Sequence, residues 1–497
     1  MKKKLRVLLW VALTLMLYAG KVAANNITVS NISLTSPNTT DDYVMVQFDI
    51  SWENSWRFSG GPANWDAAWV FVKYRVGTGD WQQAWLNNTG HTGTAATINA
   101  GLRTPGTAFN AATNPGIGAF IYRSADGTGT FSITGAQLRW NYGANSVADN
   151  ATVDVKVFAV EMVYVPEGSF YVGSGGTESG SFTNGSWVSG ATIPLLIASE
   201  GALGIDNAAG KLWGTTNTIG NVAGDAEATL AAAFPKGYAG FYCQKYEITQ
   251  QQYVDFLNTL TVTQAANRYS NSSTGDRYGI TAAGGVYSTT NPFVACNYLS
   301  WMDGAAYSDW AGLRPMTELE YEKACRGTVL PVANEYAWGN TTATAANDIT
   351  NPGASNETTN TPGANSVFGA QTNVLGPMRV GVFAKSATTR SQSGTSYYGI
   401  MELSGNLWEK SVTVGNATGR AFTGVHGDGV LSTSGYANET AWPGLTSGEV
   451  TGGTGTGMRG CAWNFPASNM RVSDRNLAAM VDNSRTSLRG FRAVRVP

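Results

Sequence analysis

The chain has 497 residues, of which 43% are hydrophobic and only 13% are charged, and 60 are glycines. This composition indicates a loop-rich protein of two or three domains that bury substantial cores. The formal net charge is −2, and removal of an N-terminal leader with five basic residues leaves 27 basic against 34 acidic residues, so nucleic acid is excluded as an expected partner.

The first 24 residues have the pattern of a secretory signal peptide. Basic residues within positions 2–6 precede an apolar run over residues 7–18, and small residues at 22–24 form a cleavage site. The apolar run is short for a bilayer, and no later segment approaches the roughly 20 apolar residues of a transmembrane helix. We therefore expect a secreted or cell-surface protein that begins near Asn25 and has no transmembrane segment.

Residues 25–160 are predicted to form an all-β sandwich. Apolar side chains such as Val46 and Phe48 alternate with polar ones such as Gln47 and Asp49, as in a strand with one buried face. Clusters of Asn, Gly, Asp and Pro separate the runs. The predicted strands are 27–34, 43–52, 67–76, 118–122, 129–142 and 152–160.

Tryptophans in this first part could line a glycan-binding surface, although core packing and strand pairing explain them more simply. They are Trp65, Trp69, Trp81, Trp85 and Trp140.

Residues 161–497 differ in character and are predicted to form a second domain. Two stretches rich in Gly, Ser, Thr and Asn, at about 177–235 and 340–395, indicate insertions on its surface. Three helix starts are marked by a hydroxyl residue followed three positions later by an acid or amide, a capping box. These pairs are Thr249 with Gln252, Ser300 with Asp303, and Thr317 with Glu320.

The cysteines and histidines limit the chemistry. Two histidines, His91 and His426, are too few for a zinc or iron site built from three histidines. Four cysteines allow two disulfides in three connectivities, and the sequence does not choose among them. The cysteines are Cys243, Cys296, Cys325 and Cys461.

Seven segments in the second part resemble, in the same order, those of the formylglycine-generating enzyme or sulfatase-modifying factor family. They are 162–170 (MVYVPEGSF), 245–249 (KYEIT), 314–324 (RPMTELEYEKA), 336–339 (YAWG), 405–409 (GNLWE), 459–460 (RG) and 490–492 (GFR). The resemblance implies an irregular α+β fold related to C-type lectins.

The resemblance also implies a catalytic centre, from which this chain departs. The family's founding enzymes oxidise a sulfatase cysteine to formylglycine with oxygen and copper, using two cysteines five positions apart. Asn464 and Asn469 stand at those positions. An amide cannot become a thiolate or exchange disulfides, so we expect neither copper nor this catalysis.

The resemblance implies one metal site. Calcium-binding relatives hold the ion with residues that correspond to Glu402, Gly405, Leu407 and Glu409. Oxygen donors of this kind, two of them carboxylates, suit a structural Ca²⁺ ion. In the alternative interpretation, the two glutamates lie in solvent or pair with arginines.

These observations favour a secreted, non-catalytic protein whose family-like domain serves as an extracellular binding or structural module. Its expected partner is an extracellular protein, a glycan or a second copy of the chain. The alternatives are a formylglycine-generating oxidase with an unrecognised active-site register and a carbohydrate-binding adhesin.

Overall fold

The computed structural model describes residues 26–185, 192–214, 227–271, 275–385 and 388–497. The predicted signal peptide and the predicted first mature residue, Asn25, lie outside these described residues. Within them, every helix is too short or too polar to cross a bilayer. The fold is mostly β, with few helices.

Eight strands make up the first part of the described chain. They are β1 (Thr28–Asn38), β2 (Tyr43–Phe58), β3 (Asn64–Val76), β4 (Gln82–Gln83), β5 (Ala96–Leu102), β6 (Gly116–Arg123), β7 (Gly127–Trp140) and β8 (Val153–Val165). Each predicted strand overlaps one of them, and β4 and β5 are additional.

Two groups of these strands enclose one apolar core. Strand β2 pairs with β7 along most of its length, whereas β3 pairs with β6 and β8. Val46 and Phe48 of β2 are fully buried and share a cluster with Val70 of β3 and Leu138 of β7. The predicted alternation in β2 is therefore confirmed.

The remaining strands are short. They are β9 (Phe170–Val172), β10 (Phe182–Asn184), β11 (Leu195–Ile197), β12 (Leu203–Ile205), β13 (Leu212–Gly214), β14 (Ala228–Leu230), β15 (Phe241–Gln244), β16 (Ile280–Ala283), β17 (Val286–Thr289), β18 (Arg314–Pro315), β19 (Trp408–Val412), β20 (Leu445–Thr446), β21 (Glu449–Val450), β22 (Thr456–Arg459), β23 (Arg489–Gly490) and β24 (Ala493–Arg495).

The helices begin at polar caps. They are α1 (Gln250–Leu257), α2 (Val262–Arg268), α3 (Trp301–Trp310), α4 (Glu318–Arg326), α5 (Arg390–Ser393) and α6 (Ala417–Arg420). The three predicted capping boxes are formed, at Thr249, Ser300 and Thr317. Thr261 and Gln264 form a further capping box at α2, which the sequence analysis missed.

One sheet joins the two parts of the chain. The predicted boundary near residue 161 lies inside β8, which pairs with β3 along one edge and with β15 along the other. The sheet continues from β15 through β24 to β18. The strands of the first part therefore share backbone hydrogen bonds with those of the second.

The face of β3 that points away from the first core packs against helices α1 and α3. Trp69 and Phe71 of β3 belong to the same buried cluster as Phe256 of α1 and Trp310 of α3. The indole nitrogen of Trp69 donates to the carbonyl oxygen of Ala311 at 2.7 Å. Strand β3 therefore has the first core on one face and the helical core on the other.

The two predicted insertions are partly buried in their described residues. In the first, β10, β13, β12 and β14 form a small sheet, and Phe182 and Leu212 contribute to the helical core. In the second, Val367 and Val380 share a cluster with Leu407. Neither segment is confined to the surface.

All four cysteines are free and buried. The two disulfides that the sequence allows are thus not formed, and the cysteines act as small apolar side chains in the cores.

Candidate functional site

The two positions that correspond to the family's catalytic cysteines lie in the loop after β22. Asn464 and Asn469 are both half-buried. The side-chain nitrogen of Asn469 donates to Oδ1 of Asp474 at 3.4 Å. Oδ1 of Asn464 is buried and has no hydrogen-bond partner among the described residues. These carboxamides lack the soft sulfur that copper(I) prefers, so this loop does not fit a copper site.

The thiol in this loop is protected from reaction. Sγ of Cys461 donates weak hydrogen bonds to the carbonyl oxygens of Ala462, at 3.5 Å, and Pro466, at 3.8 Å. Burial raises the pKa of the Cys461 thiol well above its ordinary value. A protonated, buried thiol is a poor nucleophile and a poor metal ligand. Burial likewise raises the pKa of the remaining thiols, Cys243, Cys296 and Cys325.

Buried ion pairs lie behind this loop. Arg459, at the end of β22, donates to Glu318 at 3.1 Å and to Glu322 at 2.7 Å. Arg475 donates to both carboxylate oxygens of Glu318, at 2.8 and 3.0 Å. All four side chains are fully buried, so the pairs fix the loop against α4.

Three of the predicted calcium ligands, Glu402, Gly405 and Leu407, lie just before β19, and the fourth, Glu409, is the second residue of that strand. Glu402 and Gly405 both have positive φ angles, 57° and 100°. The backbone nitrogen of Gly405 donates to the carbonyl oxygen of Gly460 at 2.7 Å, which ties this turn to the Asn464 loop.

Glu409 pairs with an arginine, as the alternative interpretation predicted. Oε1 of Glu409 accepts a hydrogen bond from Nε of Arg492 at 2.8 Å and lies 2.7 Å from Nη2 of the same guanidinium, and both side chains are fully buried. Oε2 of Glu409 is buried and without a partner among the described residues.

The carboxylate of Glu402 is also only partly hydrogen-bonded among the described residues. Its Oε1 accepts a hydrogen bond from the backbone nitrogen of Gly381 at 2.7 Å, and its Oε2 has no partner within the described chain. Burial raises the pKa of Glu402 to about 7. A small cavity of about 10 Å³, lined by Glu402, Asn406 and Arg379, lies beside it. That volume holds about one water-sized particle.

Glu247 completes this acidic group, and the sequence analysis gave it no role although it lies in the segment 245–249. Its carboxylate accepts hydrogen bonds from the backbone nitrogen of Leu407, at 3.0 Å, and from the side chain of Asn406. Burial and then the charge of Glu409 raise the pKa of Glu247 well above its ordinary value.

The donor types fit calcium, because Oε2 of Glu402 and Oε2 of Glu409 are hard carboxylate oxygens that are buried and lack partners among the described residues. The cavity beside Glu402 does not include Glu409 in its lining. Arg492 would have to share Glu409 with the ion. A different acidic trio is the only one in the described part of the chain whose oxygens all lie within 4.8 Å of one another. It consists of Asp309, Asp428 and Glu439.

The candidate glycan-binding tryptophans are not on one surface. Trp69 and Trp140 are buried in the cores. Trp65 stacks between two tyrosines, with ring centroids 5.4 and 4.3 Å away. Trp81 and Trp85 are half-exposed and line a common cleft.

Comparison with known proteins agrees with the motif order and with the turn and loop just described. A family model described as "Sulfatase-modifying factor enzyme 1-like domain" matches residues 148–497. No curated protein matches the chain. The matched region begins before β8 and includes Glu402, Glu409, Asn464 and Asn469. The chain therefore belongs to the family of proteins with a sulfatase-modifying factor enzyme 1-like domain.

Proposed function

We propose that this protein is a secreted, non-catalytic member of its family and serves as an extracellular binding or structural module. In this proposal, residues 25–160 form a β-sandwich and residues 161–497 a C-type-lectin-like fold. The continuous sheet through β8 supports a rigid module, because it joins both parts by backbone pairing.

The observation that carries the proposal is the chemistry of the loop after β22. Thiol oxidation requires a thiolate and a redox-active sulfur pair. Asn464 and Asn469 supply carboxamides, and the Cys461 thiol is buried with a raised pKa. The retained Arg459 pairs with Glu318 and Glu322 support a structural role for this region.

The protein is expected to leave a sulfatase-type cysteine peptide unchanged when it is incubated with copper and oxygen. Mass spectrometry of the peptide measures the outcome, because formylglycine is lighter than cysteine by a readily resolved difference. Catalytic conversion by the unaltered protein would refute the proposal. Loss of that conversion in Cys461→Ser would assign it to this thiol.

The matched variant combines Asn464→Cys with Asn469→Cys, which restores both sulfur ligands. We expect this variant to bind copper(I) while the unaltered protein does not, because thiolates are the preferred ligands of this ion. A copper(I) competition assay shows the gain without requiring catalysis.

We also propose a structural calcium ion at Glu402, Gly405, Leu407 and Glu409. The two carboxylate oxygens without partners support it, and so does the cavity beside Glu402. An ion that binds only the folded state stabilises it, by about 2.7 kcal/mol when calcium is in hundredfold excess over its Kd.

Calcium is expected to raise the melting temperature, and Glu402→Gln is expected to remove most of that rise. This variant is preferable to Glu409→Ala, which would also leave Arg492 without its partner. Scanning calorimetry in millimolar calcium and in excess chelator measures the difference, with Glu227→Ala, an exposed site, as the control. An equal rise in Glu402→Gln would exclude Glu402 as a ligand.

A further inference from the structure

A second site lies in a cleft of about 290 Å³ between the first part of the chain and α2. One wall is formed by residues that follow β3, including Trp81 and Trp85, and the opposite wall by α2 with Gln264. Lys73 and Trp310 lie at the base and are almost completely buried. The cleft shares no residue with the loop that carries Asn464 and Asn469.

Two deeply buried polar side chains line this cleft without hydrogen-bond partners for one of their atoms in the described structure. Gln83 is 2% exposed; its amide nitrogen donates to the carbonyl oxygen of Ile117 at 2.7 Å, but its Oε1 has no partner. Trp310 is 4% exposed, and its indole N–H has no acceptor among the described residues. Leaving such atoms unpaired is costly, so an unpaired acceptor and an unpaired donor at one cleft point to a ligand.

The opening of the cleft combines an aromatic surface with polar side chains. Arg75 and Lys156 already lie over the ring of Trp81, at 4.8 and 4.7 Å from its centroid. The free aromatic surface is therefore that of Trp85, which is half-exposed. Asp80, on the same rim, is exposed.

We propose that this cleft binds a carbohydrate. A sugar ring has an apolar C–H face that packs on an indole, whose ring face is electron-rich, and hydroxyl groups that both donate and accept. Asp80, Gln82 and Gln264 can bond the outer hydroxyls. Oε1 of Gln83 and the indole N–H of Trp310 supply one unpaired acceptor and one unpaired donor among the described side chains that line the cleft.

The single cation at the base, Lys73, already donates to the carbonyl oxygens of Trp310 and Gly429, at 2.7 and 2.9 Å. The remaining amides, one carboxylate and one free indole suit a neutral sugar better than a nucleotide or a charged peptide.

A neighbouring cleft of about 350 Å³ also has Trp310 in its lining. Most of that lining is apolar and includes Ile27, Val29 and Phe158, with Gln252 of α1 among the polar members. Trp310 is only 4% exposed and does not join the two clefts into one surface, so the cleft of 290 Å³ is the proposed sugar site.

This inference rests on the proposed binding role and gives it a ligand class. The two tests are separate, because peptide oxidation reports on the Asn464 loop, whereas sugar binding reports only on the cleft. Conversion of the peptide would refute the non-catalytic role but would not affect the proposal that the cleft binds a sugar. Absence of sugar binding would refute only the proposal that the cleft binds a sugar.

The test titrates the full mature chain with soluble hexasaccharides of glucose, mannose, xylose and galacturonic acid, followed by calorimetry and tryptophan fluorescence. We expect at least one of the three neutral probes to bind. Trp85→Ala should weaken that binding about tenfold or more, and Trp85→Phe should retain part of it. Asp80→Ala, at an exposed position, should weaken binding without changing the melting temperature.

The control is Phe58→Ala, which removes an aromatic ring that is 51% exposed and lies outside both clefts. Its affinity for the bound probe should equal that of the unaltered protein. Failure of all four probes to bind would overturn the proposal. An unchanged affinity in both Trp85→Ala and Asp80→Ala would overturn it as well, because the sugar would then bind elsewhere.

Discussion

Glu318→Ala is expected to lower the free energy of unfolding by about 4 kcal/mol, because it removes the shared partner of two buried arginines. Glu318 is fully buried at the first position of α4 and accepts hydrogen bonds from Arg459 and Arg475. It also accepts from the backbone nitrogen of Val414 at 2.8 Å and from the hydroxyl of Thr413 at 3.0 Å.

The size of the effect follows from what alanine leaves behind. Arg475 keeps a hydrogen bond to the carbonyl oxygen of Gly180, and Arg459 keeps its pairing with Glu322. Each guanidinium nevertheless loses a charged partner in a region that water does not reach. Breaking a buried pair from one side costs more than the pair itself contributes, since the remaining charge stays desolvated.

Urea unfolding followed by circular dichroism measures the change. Glu227→Ala, at an exposed position, is the control and should change the free energy of unfolding by less than about 0.5 kcal/mol. The loss of unfolding free energy in Glu318→Gln should lie between the losses in Glu318→Ala and Glu227→Ala, because the amide keeps one acceptor but loses the charge. A loss below about 1 kcal/mol in Glu318→Ala would contradict the buried network.

The helix starts could be predicted because the residues that cap a helix are close together in the sequence. The hydroxyl of Thr317 and the carboxylate of Glu320 are three residues apart and cap the same first turn. The strand pattern of residues 43–52 is equally local, since alternation along one strand identifies its buried face.

The continuity of the sheet could not be predicted from such patterns. Residues 152–160 were predicted as a strand, and the observed β8 continues to Val165, but nothing in the sequence states that β3 and β15 are its neighbours. Pairing across long separations depends on tertiary packing, which the change in composition used to predict a boundary near residue 161 does not report.

The candidate site was predicted only in part for the same reason. The segment 405–409 identified Glu409, and pairing of this glutamate with an arginine was a stated alternative, but the sequence did not identify Arg492 as that arginine. Glu247 was missed, because it lies about 160 residues from Leu407 in sequence and only the fold brings its carboxylate to that backbone nitrogen.

Trp69→Ala is expected to destabilise the protein by about 3–5 kcal/mol and to do so for both parts of the chain together. Trp69 is fully buried in β3. Its indole nitrogen bonds Ala311 just after α3, and the guanidinium of Arg495 lies 4.5 Å from its ring centroid. A Cβ on Gly118 would come within 2.6 Å of the ring, so the ring fills its space closely.

Scanning calorimetry tests whether this contact makes the molecule one cooperative unit. Because β3 lies between two cores and β8 crosses residue 161, we expect one unfolding transition in the unaltered protein and one, at lower temperature, in Trp69→Ala. Trp85→Ala, the same substitution at a half-exposed position in the same part of the chain, should shift the transition far less.

Two transitions, with only one of them moved by Trp69→Ala, would show that residues 26–160 unfold independently. Independent domains would retain their own cores when separated. A single shifted transition instead means that the helices around Trp310 depend on strands that precede residue 161.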